Sequence, residues 1–311
     1  MSESSAKRSK RNKTITVSGA EALRLGVGIL SPEGLEGRLS FADTLVCGDL
    51  LEVLDKLPDS FADLIIADPP YNLTKRFGST GFSAMPHERY EEYLRSWFHL
   101  VCAKLKPGAS MYLCGDWRSS SSLQRVMEEE LVVMNRITWQ REKGRGASAN
   151  WKNGMEDIWF GVKDPKHYYF DLEAVKLKRR VLAPYRENGR PKDWVDSPDG
   201  PFRMTCPSNF WDDISVPFWS MPENTGHPAQ KPEKLMAKLI LASCPPGGVV
   251  FDPFSGTGSA CVTAKKLGRH YVGVEIDRDY CLVAAKRLML ADTDKRIQGY
   301  SDGCFKERNS V

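Results

Sequence analysis

The sequence predicts an α/β fold built on a mostly parallel, twisted sheet with helices on both faces, plus an irregular inserted lobe. Three observations carry that prediction. Short apolar runs alternate with amphipathic stretches in a strand-then-helix rhythm between Leu45 and Leu290. Two of these runs, Ala62 to Ala67 (ADLIIA) and Val249 to Asp252 (VVFD), are apolar almost throughout, as strands covered on both sides are. Each meets an acid followed by proline or glycine, the punctuation of a turn at the carboxyl edge of a parallel sheet. At 311 residues the chain is just above the size at which one core stops growing, so one large domain with an inserted lobe and two separate domains both fit the length.

The elements follow in order. Leu45 to Cys47 reads as a short strand, followed by a helix Leu50 to Leu57 and the buried strand Ala62 to Ala67. Glu88 to Leu105 is a long amphipathic helix that Pro107-Gly108 should stop. Ser110 to Cys114 is the next strand, Ser119 to Glu130 a helix, and Val132 to Trp139 and Asp157 to Val162 two more strands. From about Lys163 to Thr225 the periodicity fails while Pro, Arg, Trp and Tyr accumulate, which marks the inserted lobe. Regular structure returns with helix Glu233 to Ser243, strand Val249 to Asp252, helix Ser259 to Leu267 stopped by Gly268, strand Tyr271 to Glu275 and helix Tyr280 to Leu290. Residues 1–35 and 296–311 read as poorly ordered tails.

Composition narrows the class. With 41% hydrophobic and 27% charged residues, a disordered chain, a coiled coil and a collagen-like fibre are excluded. No apolar run approaches the roughly 18 residues of a membrane-spanning helix. The basic start, Met1 to Lys13, has no apolar stretch after it, so a soluble cytoplasmic protein is expected. Eight cysteines are scattered without a CxxC or Cys/His cluster, so reduced thiols and no metal are expected. Net charge is only +4, but residues 141–192 hold 13 Lys and Arg against 7 Asp and Glu, and residues 1–13 hold 5 against 1. A basic lobe on a mildly acidic body is the footprint of a polyanion partner, although solvated surface charge gives the same count.

The turn Asp252-Pro253-Phe254-Ser255-Gly256-Thr257-Gly258 lies between an apolar strand and a helix, and Glu275 ends the following strand. Glycines there let the backbone approach a ligand, and an acid about 20 residues on can accept from ribose hydroxyls, so a nucleoside-containing cofactor is indicated. It is not a P-loop, because Gly-Lys-Ser/Thr is missing, and Cys261 stands where a dinucleotide site has its third glycine. Asp68-Pro69-Pro70-Tyr71 follows the strand ADLIIA. Two prolines stiffen the backbone and remove donors, leaving carbonyl and carboxylate acceptors beside an aromatic face, a combination that suits an exocyclic amine on a base.

These residues resemble the S-adenosyl-L-methionine (AdoMet)-dependent DNA amino-methyltransferases, whose catalytic motif is DPPY and whose cofactor motif is FxGxG, here Phe254 to Gly258. DPPY precedes the glycine turn, which is similar to the permuted β group. Cys47-Gly48-Asp49 and His227-Pro228-Ala229-Gln230-Lys231-Pro232 add to the likeness, Ala229 standing where the family has Thr. The resemblance implies a Rossmann-like AdoMet-dependent methyltransferase fold and transfer of a methyl group to the N6 of adenine in duplex DNA by base flipping and in-line displacement. N4 of cytosine is the alternative; an RNA amino-methyltransferase and a non-enzymatic DNA-binding module fit less well.

The resemblance also implies residue roles. Asp68, Pro69, Pro70 and Tyr71 form the catalytic motif, with Asp68 and the Pro69 carbonyl accepting from the amine and Tyr71 stacking on the base. Asp49, His227, Lys231, Asp252, Phe254, Ser255, Gly256, Gly258 and Glu275 fall on the cofactor, with Glu275 at the ribose, Asp49 on the adenine side, and Lys231 and His227 near the carboxylate. Simpler roles stay open: Asp49 as a helix cap, His227 as a structural residue, Lys231 as a solvated charge and most tryptophans around the insert as packing. The DNA face is expected on Arg141, Lys143, Arg145, Lys152, Arg179, Arg180, Arg186 and Arg190. The expected organisation is a basic flexible tail 1–35, a catalytic half 36–163, a target-recognition insert 164–225 whose DNA face begins near 141, an AdoMet-binding half 226–295 and a tail 296–311. Double-stranded DNA is the expected partner, with a homodimer and a cognate restriction endonuclease as further candidates.

Overall fold

The computed structural model describes residues 9–306 apart from 78–79, 142–148, 183–184, 197 and 199. Its largest sheet contains β1 (Thr44–Cys47), β2 (Ala62–Ala67), β3 (Leu105–Gly115), β4 (Val132–Gln140), β5 (Met155–Val162), β6 (Phe210–Trp211), β7 (Val249–Asp252) and β8 (His270–Glu275). The spatial order is β1-β8-β7-β2-β3-β5-β4-β6. The first five strands of that order run parallel, and β5 is antiparallel to both its neighbours. The helices are α1 (Gly19–Gly26), α2 (Leu50–Leu54), α3 (His87–Ala103), α4 (Ser120–Glu128), α5 (Glu233–Ser243), α6 (Ser259–Lys266) and α7 (Arg278–Leu290).

Strand periodicity explains the layers. Along β2, Leu64 and Ile66 pack with residues of α5, α6 and α7, while Ile65 and Ala67 pack with residues of α2, α3 and α4. A strand covered on both faces has no solvated side on which to place polar residues, hence ADLIIA. Burying each of its Leu and Ile side chains contributes roughly 1.5–3 kcal/mol. From β7 the chain passes through α6 to β8 on one side, and from β2 it passes through α3 to β3 on the other. The order therefore reverses between β7 and β2, and the crevice at their carboxyl ends is where such sheets take ligands.

The expected helix stop at Pro107-Gly108 fails. α3 ends at Ala103, and both residues lie inside β3. Ala62 faces Leu105 but Leu64 faces Ser110, so Lys106 to Ala109 bulge out of the ladder, where a proline without an N–H costs no sheet bond. The buried Lys104 closes the corner, its Nζ donating to the Leu57 carbonyl at 2.9 Å and to Asp59 at 2.8 Å.

The terminal segments also differ from the expected tails. Ser18 and Glu21 form a capping box that starts α1, and Leu25, Ile29 and Leu35 are buried. Further upstream, the Lys13 and Ile15 amides donate to the Trp219 and Asn224 carbonyls. At the other end, Cys304–Lys306 and Tyr300–Ser301 are strands. They complete a four-stranded sheet with Leu177–Arg180 and Phe202–Thr205 of the insert. Phe305 is fully buried there with Val175, Leu177, Ile297 and the Ala237 and Leu241 side of α5. The insert lost its visible periodicity because its strands are four residues or shorter and face solvent on one side.

Candidate active site

The carboxyl ends of five parallel strands meet at one edge, and each presents an acid: Asp49 beyond β1, Asp68 beyond β2, Asp116 beyond β3, Asp252 ending β7 and Glu275 ending β8. All five line one continuous cavity of about 440 Å³. Because β5 is antiparallel, its first residues reach the same edge and bring in Glu156.

Asp68 to Tyr71 are held from several sides. The Tyr90 hydroxyl, on α3, donates to the Pro70 carbonyl at 3.0 Å. Asn72 pins the next turn, accepting from the Met85 amide at 2.8 Å and donating to its carbonyl at 2.7 Å. The Tyr71 hydroxyl points inward, its proton lying between Asp68 Oδ1 at 2.8 Å and Glu156 Oε2 at 3.1 Å. Burial, with Asp68 and Glu156 beside it, pushes the Tyr71 phenol well above its ordinary range. Lys231 Nζ donates to Asp68 Oδ2 at 2.5 Å and to the Tyr71 oxygen at 3.0 Å, and lies 3.4 Å from Glu156 Oε2. Burial disfavours this ammonium, but the two carboxylates outweigh it and raise its affinity for the proton.

Glu156 is buried, and Arg141 Nη1 reaches its Oε1 at 2.5 Å. Burial alone would raise the Glu156 carboxyl, yet Lys231 and Arg141 hold it below the usual range. The cluster thus pairs two carboxylates with two cations around one neutral phenol.

On the opposite wall, β7 leads into the glycine turn. Gly258 caps α6 at φ +77°, and a Cβ there would meet the Ala284 Cβ at 2.9 Å, so the position admits only glycine. The Gly256 amide donates to Glu275 Oε2 and the Asp277 amide to Glu275 Oε1, both at 2.8 Å. Each Glu275 oxygen keeps acceptor capacity toward the cavity. Asp252 is buried, which pushes its carboxyl up to about 8 with Asp68 and Glu275 adding to the effect, so it holds its proton at neutral pH. The Ser255 hydroxyl is buried and finds no hydrogen-bond partner among the described residues. Phe254 sits edge-on to Trp97 of α3 at 4.8 Å.

A family model described as DNA methylase matches residues 62–286. The chain belongs to that family. It is 32% identical over 261 residues to DNA adenine methyltransferase YhdJ of Escherichia coli (strain K12), covering 80% of this chain and 84% of that protein. Among solved structures, the PvuII DNA methyltransferase (cytosine-N4-specific) superposes with a TM-score of 0.57 at 19% identity, over 78% of this chain and 84% of that one. The M1.HpyAVI–SAM complex gives 0.53 at 22% identity, over 78% and 97%. At these identities the two structures show a shared fold.

Within this member of the DNA methylase family, the structure brings Asp68, Pro69, Pro70, Tyr71, Asp49, His227, Lys231, Asp252, Phe254, Ser255, Gly256 and Glu275 to one cavity, whereas Gly258 caps α6 and does not line it. Two placements differ from expectation. Lys231 is not a solvated charge: it is buried and its ammonium holds Asp68. Arg141, expected on a DNA face, turns into the cavity against Glu156. Asp49 lines the cavity and also caps α2, accepting from the Leu51 amide at 2.9 Å. His227 packs edge-on against Tyr280 at 4.5 Å, and burial with Lys231 nearby lowers its ring to about 4, so it is neutral at pH 7.

Lys152, Arg179, Arg180 and Arg186 are exposed, away from the cavity lining. Arg190 lies in the short strand Arg190–Pro191, and Lys143 and Arg145 fall outside the described residues. Of the tryptophans around the insert, Trp139, Trp159, Trp194 and Trp211 are buried, whereas Trp151 is 93% exposed and Trp219 is 52% exposed. Glu156 and Lys75 were missed by sequence reasoning; the one signal was a pair of acids, Glu156-Asp157, opening an otherwise apolar strand.

Proposed function

We propose that the protein transfers a methyl group from S-adenosyl-L-methionine to the exocyclic N6 of adenine in duplex DNA, the target base being flipped out of the helix into the cavity. The observation that carries this reading is the juxtaposition, across one cavity, of an amine-accepting corner at Asp68 to Tyr71 and a glycine-turn wall with Glu275. The residues present fit the cofactor: the orphaned Ser255 hydroxyl, the left-handed Gly256 and the spare acceptor capacity of Glu275 are features that a polar, ribose-bearing molecule would satisfy. Glu275 would hold the ribose hydroxyls, Phe254 to Gly258 the amino-acid end, and Asp49 the adenine side. When bound, the cofactor supplies an electrophilic methyl group on a sulfonium.

The protein's own residues do the rest. Adenine N6 is a poor nucleophile because its lone pair is delocalised into the ring. Asp68 and the Pro69 carbonyl accept its two hydrogens and aim that lone pair, so much of the rate comes from orientation and from acceptors that strengthen as the nitrogen becomes positive. Tyr71, its hydroxyl fixed by the cluster, offers its ring face to the base. Lys152, Arg179, Arg180, Arg186 and Arg190, with Lys143 and Arg145, would meet backbone phosphates. Within the resembled family, Asp before Pro-Pro-Tyr favours adenine, and the relatedness to an adenine enzyme agrees.

The test is incubation with labelled S-adenosyl-L-methionine and duplex DNA, followed by nucleoside analysis. N6-methyladenine is expected, and N4-methylcytosine would transfer the reading to the other amine. Asp68→Ala should abolish transfer in a folded protein; activity within about tenfold of the parent, about 1.4 kcal/mol in the barrier, overturns the role of Asp68.

A further inference from the structure

Around Tyr71 four stretches of chain contribute charges: Asp68 from the end of β2, Arg141 beyond β4, Glu156 from the start of β5, and Lys231 before α5. Lys75 faces the same cluster, its ammonium disfavoured by burial and by Lys231 and Arg141, and the buried Cys114 thiol lies against it. As the cluster stands, Asp68 is poorly prepared for an amine. Both its oxygens already hold donors, Oδ1 the Tyr71 hydroxyl and Oδ2 the Lys231 ammonium. A cation on the acceptor would also oppose the positive charge that develops on the attacking nitrogen.

We propose that Glu156 is a positioning residue that takes over the Lys231 ammonium when the target amine enters, freeing Asp68 Oδ2 to accept from that amine. This rests on the reading of Asp68 as the amine acceptor. The transfer is short. Lys231 Nζ already lies 3.4 Å from Glu156 Oε2, and the Tyr71 hydroxyl sits within hydrogen-bonding distance of both carboxylates, so the ammonium can move by side-chain torsion while keeping its contact with Tyr71. Arg141 holds only Oε1 of Glu156, which leaves Oε2 turned toward the ammonium it would receive. Lys231 keeps its proton throughout. The amine lone pair forms the new nitrogen–carbon bond, the electrons of the old sulfur–carbon bond leave with sulfur, and the nitrogen then passes one proton to the Asp68 carboxylate, which returns it to water.

The experiment uses a duplex carrying the modified site, identified by sequencing DNA that the protein has methylated, and the same duplex with hypoxanthine, which has a keto oxygen in place of the amine. Binding without cofactor is measured for the unaltered protein, Glu156→Asp, Glu156→Gln and Glu156→Gln with Lys231→Gln. The unaltered protein and Glu156→Asp should prefer adenine. Glu156→Gln should lose that preference and slow single-turnover methylation by about 10- to 100-fold, the worth of one hydrogen bond to a charged group, with KM for DNA within about twofold. The double variant should regain about tenfold of that loss, since no ammonium remains on Asp68. An unchanged preference in Glu156→Gln, or a double variant slower than Glu156→Gln, overturns the proposal. Should Glu156→Gln fail to fold, Lys231→Gln decides: Asp68 and Glu156 then lose the ammonium they share, only Arg141 and Lys75 remaining as cations, so the acid limb of the methylation pH profile must move upward, and an unmoved limb overturns the proposal. If the unaltered protein methylates no exocyclic amine, the functional reading itself falls, whereas methylation with the overturning results above removes only the role of Glu156.

Discussion

Asp252 is an acid kept neutral by its surroundings. Its folded pKa of about 8 stands above the 3.8 of an ordinary Asp, so its contribution to stability is complete below about pH 3.8 and is lost as pH rises toward 8. Asn resembles the protonated form and loses nothing over that window. The stability of Asp252→Asn relative to the parent should therefore climb between pH 4 and pH 7 by on the order of 4 kcal/mol, at about 1.4 kcal/mol per unit. Urea denaturation at several pH values measures it, and parallel curves would contradict a buried neutral acid. Residues of this kind divide by legibility. Asp68 to Tyr71 could be read because four adjacent residues carry the pattern. Glu156 could not, because its meaning lies in Tyr71, 85 positions away, and a single acid in a strand has many uses. Lys231 was visible as a residue but not in its direction, which burial between two carboxylates decides.

The turn between β7 and α6 is set by backbone conformation. Gly258→Ala must place a Cβ at φ +77° against Ala284, and a cost of about 1–3 kcal/mol is expected. Gly268, at φ +70° with nothing within 4 Å of a Cβ, supplies the control: Ala there bears only the left-handed penalty, about 1 kcal/mol. Equal losses in the two variants, by chemical denaturation, would remove the packing argument. Elements with complete patterns, such as the 11-residue α5 and the short, apolar β7 that runs into the glycine turn, could be read to the residue. The α3–β3 corner could not, because Pro107-Gly108 signals a stop equally well for a helix and for a bulge, and the partner strand arbitrates. The terminal segments misled for a related reason: α1 has 8 residues and the final strand 3, too few for periodicity to show.

At the scale of the whole molecule, charge is divided between a cavity of compensated ions and a sheet of exposed basic side chains. Lys178, Arg179 and Arg180 lie on the strand Leu177–Arg180, beside Arg203 on its neighbour. Replacing Arg179 and Arg180 together by Ala should weaken duplex binding and flatten its salt dependence by roughly one unit of slope per lost phosphate contact, while cofactor affinity stays unchanged. Titrations by fluorescence anisotropy across salt concentrations check this; an unchanged slope would place the phosphate contacts elsewhere. Composition foretold a basic lobe, but it could not foretell that the lobe is a sheet.

That sheet takes its strands from two places. Leu177–Arg180 pairs on one side with Phe202–Thr205 and on the other with Cys304–Lys306, more than 100 residues downstream, and Phe305 is buried beneath them. The DNA-reading unit proposed above is therefore discontinuous in the gene. Recombination that imports residues 164–225 alone leaves the new strands beside an old partner with mismatched packing. Drift in this enzyme's sequence preference should accordingly favour point changes on the exposed sheet face over cassette exchange, and any graft between relatives has to carry the last strand along with the insert.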